Sequence, residues 1–320
     1  MQVFRGIYHP SIAPKCVLTI GNFDGVHRGH QAMLSSLASE ARRRGVAATV
    51  LTFEPHPVEF FAPERAPACI SKLRNKLSEF ELCGIDQVVV LRFDDRLASL
   101  SVDDFVQRVV VNGLHAQYVL VGDDFKFGVG RLGDYGYLNE LASQHGFDTA
   151  RMNSFEVDGQ RVSSTLVREA LQAGNMQKVS ALLGRPYYIS GHVVHGRKLG
   201  RELGFRTLNV RFGYQRSAAS GIFVGCVRGL EEMPLPGVVS VGVRPTVDNN
   251  NKEVLAEMHV FDWCGNAYGK VVRVELLHKL RDEVKFSGLD ALKEGIVKDC
   301  EQAREFWLDF HPELDLRMGS

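Results

Sequence analysis

The chain contains 320 residues, of which 45% are hydrophobic, and its 38 lysine and arginine residues equal its 38 aspartate and glutamate residues in number. A chain of this length favours two domains over a single core. Its zero net charge excludes a general attraction to nucleic acid or to a membrane surface, so we expect neither as a partner.

The sequence contains no segment that predicts export or membrane insertion. The N-terminal residues have no long apolar core, and no apolar run approaches the roughly 18 residues of a membrane span. The six cysteines are scattered and form no C-x-x-C pair, which is typical of reduced thiols and favours neither disulfides nor structural zinc. We therefore expect a soluble cytoplasmic protein, and the sequence leaves its self-association open.

A glycine turn at residues 21–30 lies between the apolar run 17–20 and a segment with helical spacing. This order of strand, glycine turn and helix predicts a phosphate site, because glycines allow close approach and the helix N-terminus supplies unpaired N–H donors. His27 and His30 lie three residues apart and so point to one side of the helix. Two imidazoles there can hydrogen-bond a phosphate and stabilise the charge that develops when phosphorus is attacked.

Two other interpretations of these histidines stay open. An H-x-x-H pair can be half of a zinc site, although the sequence offers no third ligand at metal spacing. The segment can also be a plain strand-to-helix turn in which the histidines are incidental. It is neither a dinucleotide fingerprint nor a Walker loop, because the turn lacks G-x-G-x-x-G and the chain lacks G-K-[ST].

The first half of the chain alternates apolar runs with helical segments. Buried strands are predicted at residues 46–53, 87–91 and 117–121, and helices at residues 71–83 and 101–113. Ser101 is placed to cap the second helix. The alternation predicts a Rossmann-like, doubly wound parallel sheet, in which ligands bind beyond the carboxyl ends of the strands.

The proline loop, residues 52–57, follows the strand predicted at residues 46–53. Pro55 and Pro57 flank His56 and restrict the backbone on both sides of it. We therefore expect a stiff loop that presents His56 at the edge of the sheet.

The acidic loop, residues 122–128, follows a later strand and carries Asp124 and Phe125 between glycines. The next residues contain a match to G-x-G-x-x-G that lies inside a long loop and not directly after a strand. Such an isolated match is weak evidence for a dinucleotide site. We interpret it as a mobile loop whose Arg131 reaches phosphate.

Residues 161–168 predict the start of a short helix. Ser163, Ser164 and Thr165 can cap its N-terminus, and they can equally bind phosphate at the positive end of the helix dipole. Capping explains the hydroxyl groups but does not explain Arg168, which lies about one turn farther on and within reach of the same ligand.

A glycine and proline break at residues 183–186 predicts a boundary between domains 1–184 and 185–320. Beyond it, strands are predicted at residues 187–194, 221–228, 237–243, 254–261 and 270–277. Successive strands without helices between them predict a small antiparallel barrel or sandwich. Helical spacing returns at residues 289–307, with Leu292, Ile296 and Phe306 predicted to face inward and the helix to cap the barrel.

The basic loop, residues 195–205, sets basic side chains among glycines. Its members of interest are Gly196, Arg197, Gly200, Arg201 and Gly204. This combination suits the phosphates of a nucleoside triphosphate. A solvated basic hairpin is the alternative that these residues alone leave open.

Seven motifs together resemble one family. The glycine turn resembles G-[NV]-F-D-G-V-H-x-G-H, the proline and acidic loops resemble T-F-E-P-x-P and G-x-[DN]-F-x-F-G, and residues 162–168 resemble [IV]-S-S-T-x-[IV]-R. Residues 203–209, 256–262 and 280–286 resemble L-G-F-P-T-A-N, [VA]-E-x-H-x-x-D and L-R-x-E-x-x-F. In combination these motifs resemble the prokaryotic bifunctional riboflavin kinase/FMN adenylyltransferases, the FAD synthetases, from about residue 15 to residue 307.

For the first half, the resemblance implies an adenylyltransferase that joins FMN to ATP. It assigns nucleotide and phosphate binding to Gly21, Phe23, Asp24, Gly25, Ser163, Ser164 and Thr165. It assigns flavin binding to Pro55, His56, Pro57, Asp124 and Phe125. Charge stabilisation during adenylyl transfer falls to His27, His30 and Arg168, with the helix hydroxyls.

For the second half, the resemblance implies a small barrel with riboflavin kinase activity. The basic loop binds ATP, Thr207 and Asn209 hold Mg²⁺ against its phosphates, and Glu257 is the base that takes the hydroxyl proton. The flavin lies beside Arg281, Glu283 and Phe286. The pattern alone leaves Glu257 equally open as an outward strand residue, with His259 on the same face.

The chain departs from the family in one motif, where Arg206 stands in place of proline and Leu208 in place of alanine. Losing the proline frees the turn that aims Thr207, and the leucine adds bulk in a tight place, so a weakened kinase is an open alternative. Two further alternatives are an adenylyltransferase of the same fold with another substrate, and a non-catalytic flavin or nucleotide sensor.

Overall fold

A computed structural model describes residues 1–196, 204–212, 216–245 and 252–309. The chain divides into two compact units, Met1–Pro67 with Leu73–Val162, and Ala68–Lys72 with Ser163–Ser320. The contacts therefore group residues 163–184 with the second unit. The domain boundary at residue 184 stays a prediction about where the two activities separate.

The first unit is built on a parallel sheet. Its strands are β1 (Gln2–Arg5), β2 (Cys16–Ile20), β3 (Ala47–Glu54), β4 (Gln87–Arg92), β5 (Ala116–Gly122) and β6 (Asp148–Met152). Their order is β1-β4-β3-β2-β5-β6, and every neighbouring pair is parallel. Strand order reverses beside β2, so the residues that follow β2 lie at the topological switch point, where such sheets bind ligands.

Helices cover both faces of this sheet. They are α1 (Arg28–Arg44), α2 (Pro57–Phe61), α3 (Leu73–Leu82), α4 (Asp95–Ala98), α5 (Val102–Phe105) and α6 (Tyr135–His145). One apolar cluster packs α1 and α3 against the sheet, and another packs α5 and α6 against it. Two short 3₁₀ turns (Pro63–Arg65 and Val129–Arg131) and a hairpin of β7 (Glu156–Val157) and β8 (Gln160–Arg161) complete the unit. The prediction of a doubly wound fold is confirmed.

The predicted helix at residues 101–113 is only partly correct. Ser101 does cap α5, because its Oγ accepts the N–H of Asp104 at 3.0 Å. The chain then continues as a π-helix, Val106–Val111, with the N–H of Asn112 donating to the carbonyl of Gln107. Val106, Val109 and Val110 are buried in this segment.

The second unit begins with two helices and continues as a closed barrel. The helices are α7 (Ser164–Gln172) and α8 (Met176–Leu183), and the strands are β9 (Tyr187–Val194), β10 (Thr207–Arg211), β11 (Gly221–Arg228), β12 (Leu235–Pro245), β13 (Lys252–Val260) and β14 (Val271–Arg281). The strands close in the order β10-β13-β12-β11-β14-β9, with antiparallel neighbours. The barrel, and not the sandwich, is therefore the correct alternative.

The last helix, α9 (Leu289–Asp309), packs on the outside of the barrel. Phe223, Val239 and Met258 fill the barrel interior, while the outward face of β11 and β12 packs with Ala303 of α9. Of the residues predicted to face inward, Phe306 joins this outer cluster. Leu292 and Ile296 are half-buried.

Candidate active sites

The glycine turn occupies the switch point of the sheet in a strained conformation. Gly25 has φ of 84°, and two residues with side chains, Phe23 and Val26, also have positive φ values of 50° and 41°. Positive φ is unfavourable for a β-branched residue such as Val26, and strain of this kind concentrates at functional sites. Gly21 gives the Phe23 ring room, because a Cβ at that position would lie 3.1 Å from the ring.

His27 caps α1 and stacks on His30. The His27 Nδ1 accepts the backbone N–H of His30 at 3.3 Å, so the proton of the neutral His27 ring is assigned to Nε2. The two rings are stacked, with centroids 3.7 Å apart. Gly29 allows this arrangement, since a Cβ at that position would lie 3.2 Å from the His27 Nδ1.

His30 is held in its neutral form. Its Nδ1 is buried and has no hydrogen-bond partner among the described residues. Burial, followed by the neighbouring His27 and Lys76, holds the pKa of His30 well below its usual value of 6.5. At neutral pH His30 can therefore donate or accept a hydrogen bond but carries no positive charge.

Phe23 supports His30 and lies beneath the surface. The centroid of the Phe23 ring lies 5.1 Å from that of His30 and 5.4 Å from that of Phe80. Both pairs have edge-to-face geometry. Phe23 is only 3% exposed, so its place in the glycine turn is that of a packing residue. Asp24 is also buried, in the same turn.

The proline loop uses His56 as a helix cap. The His56 Nδ1 accepts the N–H of Val58 at 3.1 Å, and the N–H of His56 donates to Glu59 at 3.3 Å, which forms a capping box for α2. Pro57 is the first residue of α2. The Glu54–Pro55 peptide bond is cis. One ring nitrogen of His56 is thus engaged in local structure.

An aromatic cluster adjoins the proline loop and was not predicted from the sequence. The rings of Phe60 and Phe61 each lie 5.5 Å from that of Phe93, and the Phe53 ring lies 5.9 Å from it, measured between centroids. Phe61 is 66% exposed. Planar apolar surface of this kind suits the ring system of a flavin.

Arg161 organises the acidic loop. Its guanidinium lies 2.8 Å from an oxygen of Asp123 and 3.3 Å from one of Asp124, and Ser154 donates to the other oxygen of Asp123. Phe125 stacks on Phe127 with ring centroids 5.1 Å apart. Farther along, Arg131 is exposed on the short 3₁₀ turn with φ of 60°.

The helix predicted after residue 161 is α7, and it belongs to the second unit. Ser163 caps it, since its Oγ accepts the N–H of Leu166 at 3.2 Å. Ser164 is half-buried and Thr165 is exposed in the first turn. The Arg168 Nε donates to the carbonyl of Ala68 at 2.8 Å, so this guanidinium also fixes a neighbouring segment of its own unit.

On the barrel, three polar residues form a row across adjacent strands. Asn209 on β10 is directly opposite Glu257 on β13, which in turn is directly opposite Ser240 on β12. Directly opposed residues share a face, and this is the outer face of the barrel, because the alternate residues fill its interior. Thr207 lies two residues before Asn209 and so points to the same side.

The start of the basic loop makes room for Asn209. A Cβ on Gly196 would lie 2.5 Å from both the Nδ2 and the Oδ1 of Asn209, so a larger residue there would displace the Asn209 amide. Gly204, at the other end, has φ of 92°. The remaining predicted members, Arg197, Gly200 and Arg201, lie outside the described residues.

The two departures from the family motif have structural solutions. The His259 Nδ1 lies 2.9 Å from the carbonyl oxygen of Arg206, and the edge of the Phe205 ring packs against His259. This contact fixes the turn that a proline would otherwise restrict. Leu208 is 9% exposed and alternates with the outward Thr207 and Asn209, so its bulk lies in the barrel interior.

The segment after β14 is tied to α9. Arg281 makes a bidentate pair with the buried Asp299, at 2.8 and 2.6 Å, and its guanidinium lies 5.5 Å from the centre of the Phe286 ring. The Phe286 ring lies against Gly295, where a Cβ would be 2.6 Å away. Glu283 lies over β12, with its carboxylate 3.5 Å from the Oγ of Ser240.

Two family models match the chain. The model of FAD synthetase matches residues 9–166, and the model of riboflavin kinase matches residues 183–307. The two matches define the class of protein as a FAD synthetase-type unit followed by a riboflavin kinase-type unit.

Curated relatives cover nearly the whole chain. A bifunctional riboflavin kinase/FMN adenylyltransferase of Escherichia coli (strain K12) is 45% identical over 96% of this chain and 98% of its own length. Proteins described in the same words from Pseudomonas fluorescens and Haemophilus influenzae are 44% and 42% identical, over 95% and 96% of this chain and 97% and 99% of their own. The chain belongs to the family of bifunctional riboflavin kinase/FMN adenylyltransferases.

One solved structure has a similar fold along the whole chain. It is described as a macrolide-efflux protein from Streptococcus pneumoniae, and it covers 95% of this chain and 99% of its own, with a TM-score of 0.77 and 26% identity. Within the described residues, no helix is both long enough and apolar enough to cross a membrane.

Proposed function

We propose that this chain converts riboflavin to FAD in two ATP-dependent steps, each with its own set of residues. In the first step riboflavin is phosphorylated to FMN, and in the second FMN is adenylylated with release of pyrophosphate. The observation that carries the proposal is the alignment of Asn209 with Glu257 across neighbouring strands. These residues are 48 positions apart in the sequence (257 − 209), and the barrel places them side by side.

For the kinase step we assign the base to Glu257. Its carboxylate takes the proton of the ribityl 5′-hydroxyl, whose oxygen forms a bond to the γ-phosphorus of ATP while the bond to the β-phosphate oxygen breaks and ADP leaves. The basic loop binds the ATP phosphates. Arg281, Glu283 and Phe286 are the proposed flavin neighbours, with Arg281 acting through its fixed position against Asp299.

The outer row of the barrel also suits Mg²⁺. The ion prefers oxygen ligands, and the Thr207 hydroxyl and the Asn209 amide oxygen point to one side of β10. The absence of a side chain at Gly196 leaves room for the Asn209 amide, because a Cβ there would lie 2.5 Å from it. Thr207 and Asn209 would hold the ion, whose chemistry is to neutralise charge on the ATP phosphates.

For the adenylyl transfer we assign phosphate binding to the glycine turn. A phosphate oxygen of FMN forms a bond to the α-phosphorus of ATP, and the bond to the β-phosphate oxygen breaks, so no protein nucleophile is needed. His27 and His30 hydrogen-bond the reacting phosphates, and the N–H groups at the start of α1 face the same charge. Catalysis is positioning together with charge stabilisation.

The remaining assignments of this step follow the family resemblance. Gly21, Gly25 and Asp24 shape the nucleotide site, with Phe23 beneath it, and flavin binding falls to Pro55, His56, Pro57, Asp124 and Phe125. At the N-terminus of α7, Ser163, Ser164, Thr165 and Arg168 are assigned to phosphate.

We also propose a cytoplasmic location, where ATP is supplied and the six thiols stay reduced.

The test supplies each substrate separately to the purified full-length chain with ATP and Mg²⁺, and separates riboflavin, FMN and FAD by chromatography. We expect riboflavin to yield FMN and then FAD, supplied FMN to yield FAD, and EDTA to stop both. Adenylylation of a different substrate with no flavin turnover would favour a related adenylyltransferase. Flavin binding without any product would favour a sensor. Either result would contradict the proposal.

A further inference from the structure

Helix α3 buries a polar face, which is unusual for a surface helix. Its buried residues are Asn75, Lys76, Glu79 and Phe80. Lys76 is only 6% exposed, although lysine is almost never buried unless its charge is paired. The position of this ammonium group therefore needs an explanation.

The ammonium of Lys76 is directed into the glycine turn. Its Nζ donates to the carbonyl oxygen of Asn22 at 3.1 Å. Asn22 lies between Gly21 and Phe23, so the bond fixes the peptide that precedes the positive φ of Phe23. Within the described part of the chain, no carboxylate oxygen lies within 4.0 Å of the Lys76 Nζ.

A buried cation with only a carbonyl partner is energetically costly. The groups around Lys76 point to what offsets this cost. Its charge acts on His30, whose pKa it helps to lower, and on Glu54, whose pKa is raised chiefly by burial and lowered by Lys76. The His30 Nδ1 and the Asn22 Oδ1 are buried nearby in the turn without partners among the described residues.

These observations indicate a site suited to an anion. The strained turn, the neutral stacked histidines and the buried ammonium converge at the switch point of one sheet, where α1 also directs its N–H groups. A nucleotide phosphate bound there would place negative charge near the Lys76 ammonium.

We propose that Lys76 is a positioning residue for adenylyl transfer. Its ammonium holds the Asn22 carbonyl, and with it the glycine turn, and places a positive charge beneath the phosphates of the nucleotide. The inference rests on the proposed adenylyltransferase site. It goes beyond it, because Lys76 belongs to none of the motifs that identify the site.

The test replaces Lys76 with methionine, which keeps the length of the side chain and removes the charge. Arg74→Met is the matched control, because Arg74 is an exposed cation on the same helix. We expect Lys76→Met to lower kcat/KM for adenylylation of FMN by about 100-fold, the order expected when a reacting group is misplaced. Riboflavin phosphorylation by the same sample reports that the other unit is intact and stays within about twofold of wild type.

A second measurement distinguishes positioning by charge from simple loss of structure. Histidine NMR, with the His30 signal assigned from a His30→Asn variant, follows the titration of His30. Lys76→Met should raise the pKa of His30, and Arg74→Met should leave it unchanged. An unaltered adenylylation rate, or lost activity with an unaltered His30 titration, would overturn the proposal. If wild type itself fails to adenylylate FMN, the proposed function fails, while the Lys76–His30 coupling is still measured.

Discussion

His27 and His30 form one stacked pair, but the structure gives them different hydrogen-bonding roles. The Nδ1 of His27 is occupied by the backbone of α1, so His27 offers the Nε2 proton. His30 keeps a buried Nδ1 without a partner among the described residues and is neutral at pH 7. Two neutral histidines can donate hydrogen bonds to phosphate oxygens without adding a full positive charge that would tighten binding of the nucleotide before reaction. Binding that is equally strong in the ground state and the transition state does not raise kcat.

Removing the His30 imidazole tests this assignment. His30→Ala should lower adenylylation of supplied FMN by about 10²–10³-fold, the order for losing one preorganised donor. Phosphorylation of riboflavin should be unchanged, because His30 lies in the other unit. Chromatography of the flavins after reaction with each substrate measures both rates, and an unchanged adenylylation rate would remove His30 from the mechanism.

The assignment of Glu257 is tested by a variant that should lose riboflavin phosphorylation and keep adenylylation of FMN. Glu257→Gln keeps the size of the side chain and removes the base, so formation of FMN from riboflavin should fall by about 10²–10⁴-fold. Supplied FMN should still be adenylylated at the wild-type rate. Normal production of FMN by this variant would show that Glu257 does not accept the proton.

At the scale of single residues, the motifs indicate which residues belong to a candidate site but not which structural contacts those residues make. The sequence indicated that His56 and Arg281 lie at sites, but not that His56 caps α2 or that Arg281 pairs with Asp299. These partners were not predictable, because capping depends on a local backbone turn and the ion pair joins separate elements. Lys76 was missed because a single lysine in a helical segment normally predicts an exposed side chain.

Among the elements, α9 supports the proposed kinase site. It packs over β11 and β12, beside the row that contains Glu257, and it holds Arg281 through the buried Asp299. The proposed flavin neighbours after β14 therefore depend on a helix that contributes no residue to the motifs.

Weakening this attachment should affect one activity only. Asp299→Asn leaves Arg281 with a weaker partner and should destabilise the second unit by about 3 kcal/mol, the order for breaking a buried ion pair. Urea unfolding monitored together with both activities checks this, and riboflavin phosphorylation should fall while adenylylation of FMN is retained. Glu301→Gln, an exposed position on the same helix, is the control. Equal stability of the two variants would contradict the role of the pair.

The elements that were predicted are those with a strong hydrophobic pattern. Strands β9 and β11 have the predicted bounds, because their short apolar runs lie between clear turn residues. No strand is predicted at β10, since its sequence, T-L-N-V-R, is short and follows a glycine-rich segment. Its pairing with β13 comes from closure of the barrel, which local sequence does not specify.

For the whole molecule, chain length predicted two compact units, and the contacts place α7 and α8 with the barrel. Helix α8 packs on β9 and β14, and its buried residues include Leu182 and Leu183. Removing it would expose apolar surface, which costs about 25 cal/mol for each Å². A boundary at residue 184 would separate α8 from the strands on which it packs.

Two fragments test whether the second folded unit begins at residue 163 or at residue 185. A fragment that begins at Ser163 keeps α7 and α8 and should phosphorylate riboflavin at a rate close to that of the full chain. One that begins at Arg185 should unfold at a temperature lower by several degrees, since it lacks the cover of β9 and β14. Thermal unfolding followed by circular dichroism gives the comparison, and equal melting temperatures would show that the boundary lies at residue 184.

The most direct test of two separate sites in one chain mixes the two damaged variants. His30→Ala should stop at FMN, and Glu257→Gln should leave riboflavin unconverted, so neither variant alone makes FAD from riboflavin. An equimolar mixture with riboflavin, ATP and Mg²⁺ should make FAD, because each variant supplies the step that the other lacks. Formation of FAD by either variant alone at a rate close to that of wild type, or failure of the mixture to form it faster than either variant, would contradict the account.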